Sequence, residues 1–235
     1  MKEVEDKVTT EEYVFKNKMH LWSRMNLAKC LLRILDEKDY VTPTPIQSAT
    51  VPKGLNSKND VLAAAETGSG KTFAFGLPVV QKIEAYLEKF GEYGTTEEVK
   101  VQLEEGEGDD DEGVFGEVKR KEGPMALVLC PTRELACQVH DQIKLLCTHT
   151  KVRSGVIIGG MSDDKQERVL SKHKPHIVVA TPGRFWELVQ KGQCWLQSLD
   201  LVKYLVIDEA DRMAEKGHFQ ELGGIVSAIV MFIRR

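Results

Sequence analysis

The chain has 235 residues, of which 42% are hydrophobic and 29% charged, with a formal net charge of −4. That length and composition suit one ordinary α/β domain with a core that needs no disulfides, and they exclude a wholly disordered, collagenous or membrane-spanning chain. The apolar stretch near the end, Ile225 to Ile233, is too short to cross a bilayer, and the mild acidity argues against nucleic-acid binding through bulk charge.

The opening Met1-Lys2-Glu3-Val4-Glu5-Asp6 is charged where a signal peptide needs an apolar run, so secretion is not expected. Residues 1–18 read as a polar tail, and the folded domain is expected over 19–235. Apolar residues between Leu21 and Leu35 recur at helical spacing. Pro43 and Pro45 break that pattern, force extended backbone before each, and allow a helix to start near Pro45. Val61-Leu62-Ala63-Ala64 reads as a short buried strand, followed by a glycine turn and a helix from about Lys71. Pro78 inside that helix predicts a kink or an early break.

Residues 91–123 differ from the rest. They hold seven glycines and the acidic cluster Glu104, Glu105, Glu107, Asp109, Asp110, Asp111 and Glu112. This composition predicts a disordered surface insertion, open to a protein partner. A rhythm then returns. Strands are expected at Ala126–Cys130, Val156–Ile158, Ile177–Ala180 and Tyr204–Ile207. Helices are expected at Glu134–Leu146, Asp163–Leu170 and Arg184–Val189. Short, continuous apolar strands alternating with helices imply a mostly parallel sheet with helices on both faces. Ligands of such sheets gather at the carboxyl ends of the strands.

The five cysteines, Cys30, Cys130, Cys137, Cys147 and Cys194, are odd in number and lack C-x-x-C spacing. They suggest neither a disulfide framework nor a zinc site, and are read as reduced thiols of cytosol or nucleus.

The sharpest chemical signal is Ala65-Glu66-Thr67-Gly68-Ser69-Gly70-Lys71-Thr72, placed between the expected strand and the helix. Small residues let backbone N–H groups turn inward onto phosphate oxygens, and the helix N-terminus adds positive potential. Lys71 can reach β- and γ-phosphates, and the Thr72 hydroxyl can hold Mg²⁺. The generic phosphate-loop pattern wants glycine where Ala65 stands; a purely structural glycine turn is the competing reading. Asp208-Glu209-Ala210-Asp211 follows an apolar strand. Asp208 can hold Mg²⁺ through water, and Glu209 can take a proton from an attacking water. Taken alone, such a tetrad is also a common solvated helix start.

These segments and those between them resemble the DEAD-box family of ATP-dependent RNA helicases, over roughly Leu21 to Leu222. Thr42-Pro43-Thr44-Pro45-Ile46-Gln47 is similar to the Q motif, within an expected 20–48 unit. Residues 65–72 are similar to motif I, where alanine in first place is normal. Pro131-Thr132-Arg133-Glu134-Leu135-Ala136 resembles motif Ia, Gly159-Gly160 the GG element, and Thr181-Pro182-Gly183-Arg184 motif Ib. The resemblance implies a RecA-like P-loop NTPase domain that takes ATP and Mg²⁺, with Lys71, Asp208 and Glu209 as catalytic groups. It implies that Gln47 reads the adenine edge and that Trp22 packs on the adenine ring, with a core tryptophan as the alternative. Thr132, Arg133, Gly160, Thr181, Gly183 and Arg184 become candidate contacts to the RNA backbone, without base identity. For both arginines the alternative is a structural ion pair, to Glu134 or Glu187.

Residues 181–188 and 212–219 look closest to a nucleolar branch of the family that acts in large ribosomal subunit maturation. A nuclear, and within it nucleolar, location is expected from that likeness, with the cytoplasm as alternative. The family's Ser-Ala-Thr motif and second RecA-like domain do not follow the tetrad in this sequence, so the chain by itself is expected to bind nucleotide weakly and hydrolyse it poorly. A non-enzymatic nucleotide-binding or scaffold fragment is the rival reading, and a different P-loop NTPase a more distant one.

Overall fold

Four short apolar runs pair into one parallel sheet. In the computed structural model, which describes residues 13–91, 123–192, 196, 198–215 and 219–233, the strands are β1 (Ala126–Leu129), β2 (Ser154–Ile157), β3 (Ile177–Ala180) and β4 (Tyr204–Ile207). Their spatial order is β2-β3-β1-β4. Leu127 lies opposite Val178 on one side and Leu205 on the other. The fold is RecA-like α/β, with helices on both faces of the sheet.

The strand residues alternate between two cores, as the period of two demands. Ala126, Val128, Ile177 and Val179 join one core, with Tyr204 and Val206 against it. Helices α2 (Lys29–Glu37), α3 (Pro45–Asn56), α4 (Lys71–Phe90) and α5 (Arg133–Leu146) contribute much of that core, and Met19, Trp22 and Met25 close it. Leu127, Leu129, Val178 and Ala180 join the other, beneath α7 (Pro182–Gln190) and α9 (Phe219–Ile233). All four side chains of β1 are fully buried, and each Leu or Val there stabilises the fold by roughly 1.5–3 kcal/mol. The remaining helices are α1 (His20–Ser23), α6 (Asp163–His173) and α8 (Ala210–Glu215).

Local chemistry explains the boundaries. Thr132 caps α5, its hydroxyl accepting from the Leu135 amide at 3.2 Å. Pro45 and Pro182 open α3 and α7 at positions where a missing N–H is harmless. The expected helix at 21–35 is two helices, α1 and α2, joined through Asn26 at φ 57.

Two expectations fail. Residues 61–64 form no strand; Leu62 is fully exposed and Val61 is 45% exposed. Two of its four residues are alanine, so the run has little apolar area to gain from a sheet. The Lys71 ammonium also takes the carbonyl of the next residue, Ala65, and that pins the segment to the start of α4. Pro78 neither stops nor shortens α4, which runs unbroken from Lys71 to Phe90. The proline ring is accommodated at Gly54 of α3, where a Cβ would come within 2.8 Å of it.

Residues 13–17 lie against α2. The buried Asp36 carboxylate accepts from the Tyr13 hydroxyl at 2.8 Å and from the amides of Lys16 and Asn17 at 2.7 and 2.9 Å. Burial pushes its pKa up, but these three donors outweigh burial and leave it low. Residues 1–12, and the acidic insertion apart from its end residues 91 and 123, lie outside the described residues.

Candidate functional site

Four of the polar motifs leave from the carboxyl ends of strands, where parallel sheets bind ligands. Across the sheet they stand as Gly160 beyond β2, Thr181 after β3, Thr132 and Arg133 beyond β1, and Asp208 after β4.

The phosphate loop turns on two glycines in the left-handed region, Gly68 (φ 79) and Gly70 (φ 89). Gly70 caps α4, so Lys71 and Thr72 are its first two residues. Lys71 Nζ donates to the carbonyls of Ala65 at 2.6 Å and Glu66 at 3.4 Å. The Ser69 amide closes the turn onto the Glu66 carbonyl. The Ser69 hydroxyl is shielded and has no hydrogen-bond partner among the described residues, whereas the side of Gly68 where a Cβ would stand is open space. An orphaned hydroxyl in a glycine turn beside an ammonium fits a phosphate group.

Gln47 ties this loop to α3. Its Nε2 donates to the Gly70 carbonyl at 3.1 Å, and its Oε1 accepts from the Thr44 amide at 2.8 Å. A carboxamide has two donors and two acceptor lone pairs, so one of each remains for a ligand.

Asp208 is 8% exposed at the end of β4. Burial raises its pKa, the adjacent Glu209 carboxylate raises it further, and the Lys71 ammonium and the Glu209 amide lower it. The loop lysine thus favours the ionised form of the strand-end acid without forming an ion pair with it. Glu209 adopts φ 50, an uncommon backbone for a non-glycine residue, and its side chain pairs with Arg212 at 3.0 Å. Asp211 points to solvent. The Cys130 thiol, at the end of β1, is pushed well above its ordinary pKa by burial and by both carboxylates, so it is an inert core group.

The two arginines part company. Arg133 is exposed and its guanidinium lies on the Gly159–Gly160 backbone, so closely that a Cβ at Gly160 would stand 2.6 Å from its Nη1. It makes no ion pair with Glu134. Arg184 is held instead: Nε donates to Gln166 at 3.0 Å, Nη1 pairs with Glu187 at 2.7 Å, and the side chain is 9% exposed. Gln166 in turn donates to the carbonyls of Ile158 and Met161. The structural alternative holds for Arg184, which braces α7 against the turn after β2. Thr181 caps α7 through its backbone and Gly183 sits in the first turn.

Trp22 also takes its structural alternative. It is 1% exposed, within the core, and its indole N–H donates to the Tyr40 carbonyl at 2.7 Å. A ring closed on all sides cannot stack on adenine, so that expectation is corrected. The aromatic left open in this region is Tyr40, 46% exposed and in edge contact with Phe73 at 5.2 Å. Its position, seven residues before Gln47, was the available signal. Periodicity could not show which of the two rings the core would take.

The sequence model of the DEAD/DEAH box helicase family matches residues 44–233. The chain belongs to this family. The ATP-dependent RNA helicase ddx24 of Dictyostelium discoideum is 42% identical over 90% of this chain and 23% of its own length. The DEAD-box ATP-dependent RNA helicase 13 of Oryza sativa subsp. japonica is 41% identical over 91% of this chain and 24% of its own length. Among solved structures, the RNA helicase Prp28 of Chaetomium thermophilum bound to ADP aligns with a TM-score of 0.65 at 29% identity, covering 90% of this chain and 42% of that one. The chain thus spans about a quarter of the length of the curated relatives it matches. No helix among the described residues is long and apolar enough to cross a membrane. DEAD-box proteins as a family use ATP and Mg²⁺.

Proposed function

We propose that this chain is the nucleotide-binding domain of an ATP-dependent RNA helicase. The observation that carries the reading is the geometry of the phosphate loop: Gly68 and Gly70 in the left-handed region, the Ser69 hydroxyl without a partner among the described residues, and Lys71 at the start of α4.

ATP would be held by the amides of residues 66–70, with Lys71 toward the terminal phosphates and the unused carboxamide donor and acceptor of Gln47 toward the adenine. Thr72 and Asp208 are the groups that would hold Mg²⁺. The bound ion would supply charge neutralisation at the phosphates. Glu209 would accept a proton from the attacking water and orient it. Arg133, with Thr132, Thr181 and the amides near Gly160 and Gly183, would contact the sugar–phosphate chain of RNA. Arg184 would act there only by bracing the turn.

In the whole protein we propose that a second domain closes on this one to complete hydrolysis and strand separation, since an arginine finger is worth about 10³–10⁵ in rate for P-loop enzymes. Nuclear residence belongs to the same proposal and rests on the resemblance of residues 181–188 and 212–219. The deciding experiment is calorimetric titration with ATP and Mg²⁺, with and without single-stranded RNA. Lys71→Ala should weaken ATP at least about tenfold, the loss expected for a charge-assisted contact. Unchanged affinity would overturn the assignment.

A further inference from the structure

Helix α4 ends far from the phosphate loop, about 30 Å along its axis by the rise of an α-helix. There its outer face meets the start of β4. Lys203 Nζ lies 3.6 Å from the centroid of the Tyr86 ring, Lys82 Nζ lies 5.6 Å from that of Tyr204, and Lys89 Nζ lies 4.9 Å from that of Phe90. The Tyr86 and Phe90 rings are in contact at 4.9 Å. Residues 82, 86, 89 and 90 share one helix face. Glu84 and Glu88 point elsewhere: Glu84 accepts from the Lys151 amide, and both carboxylates act on Cys30 of α2. The face is therefore cationic, and none of its three lysines forms an ion pair with a described residue. An ammonium over a ring keeps N–H donors directed outward for an anion.

Both ends of the acidic stretch's tether are anchored at this face. The chain leaves at Gly91, next to Phe90. It returns at Gly123, two residues before Met125, whose carbonyl accepts from the amides of Lys203 and Tyr204 at 2.8 and 3.2 Å. Between these anchors, Glu104 to Glu112 carries seven carboxylates and two glycines in nine residues. It begins thirteen residues after Gly91 and ends eleven before Gly123. Either arm, extended, spans more than roughly 35 Å, so the tether does not limit access. A doubly tethered anion reaches effective concentrations on the order of millimolar.

We propose that the face formed by Lys82, Lys89 and Lys203 is an intramolecular docking surface for the acidic stretch Glu104–Glu112. Contact is electrostatic and backed by aromatic rings, so it weakens with salt. It is independent of nucleotide, whose site lies at the other end of α4.

The test uses the full chain. A zero-length carbodiimide should join Lys82, Lys89 or Lys203 to carboxylates within 104–112. In a variant carrying E104Q, E105Q, E107Q, D109N, D110N, D111N and E112Q, with an unchanged unfolding midpoint, these three lysines should acetylate about fivefold faster. Lys53, exposed on α3, should not change. Equal acetylation in both proteins would overturn the proposal. So would crosslinks running from the stretch to other lysines instead, or products that join only isotopically distinct copies. Protection of the three lysines by added single-stranded RNA, with none from the acidic stretch, would likewise refute it and assign the face to nucleic acid.

Discussion

Gln47 and Gly70 are locked together: the carboxamide donates to the glycine carbonyl, and a Cβ added at Gly70 would fall on Gln47 Nε2. Gly70→Ala must displace that amide and also hold an L side chain at φ 89, at about 1–2 kcal/mol for the backbone alone. Gln47→Ala removes two hydrogen bonds, worth about 1–3 kcal/mol together. The double variant should lose less than the two single losses combined, because one deletion relieves the clash made by the other. Denaturant unfolding of the four proteins measures this; strictly additive losses would show that the contact does not couple α3 to the loop. Gln47→Ala should also narrow the preference for ATP over GTP.

Asp208 yields a pH signature. Its folded pKa is raised, so the protonated form is favoured in the fold. The stability this gives is fully present below the unfolded value of about 3.9 and is lost as pH rises through the folded value. At neutral pH the ionised group is a burden on the isolated protein. Asp208→Asn should therefore melt higher than the parent at pH 7, with the gap closing below about pH 4. Mg²⁺ with ATP should stabilise only the parent. A gap that does not vary with pH would refute the account.

Arg133 and Arg184 should separate binding from stability. Arg133→Ala should weaken single-stranded RNA and reduce the slope of log K against log salt by about 0.7, the share of one phosphate contact. Its unfolding free energy should stay within about 0.5 kcal/mol of the parent. Arg184→Ala should lower the melting temperature by stripping the buried Gln166 of its donor. Reversed outcomes would exchange the two roles.

Gly54→Ala probes the seam between α3 and α4. The new methyl would meet the Pro78 ring at 2.8 Å, and overpacking of this kind costs about 1–3 kcal/mol. Because α3 carries Gln47, nucleotide affinity should fall along with stability.

The parallel sheet was legible because continuous apolar runs of four to five residues have few other uses. The expected strands at 177–180 and 204–207 match β3 and β4 residue for residue. The run at 61–64 shows the limit of that signal. It has a strand's composition, yet Lys71 captures the backbone that follows it, a contact no periodicity encodes. Trp22 shows another limit. A tryptophan before a nucleotide motif suits a binding role, but its N–H found a partner inside, and the core closed over it. The arginines divided on neighbours that come from different strands and helices, Gln166 in one case and two glycines in the other.

The clasp of Tyr13, Lys16 and Asn17 on Asp36 bears on how this domain can be shortened. Trimming to Met19 would remove a mostly polar, seemingly dispensable lead-in. It would also strip every donor that now solvates a carboxylate with no exposed surface. The functional N-terminal border of the folded unit therefore lies at or before Tyr13, several residues ahead of the first helix.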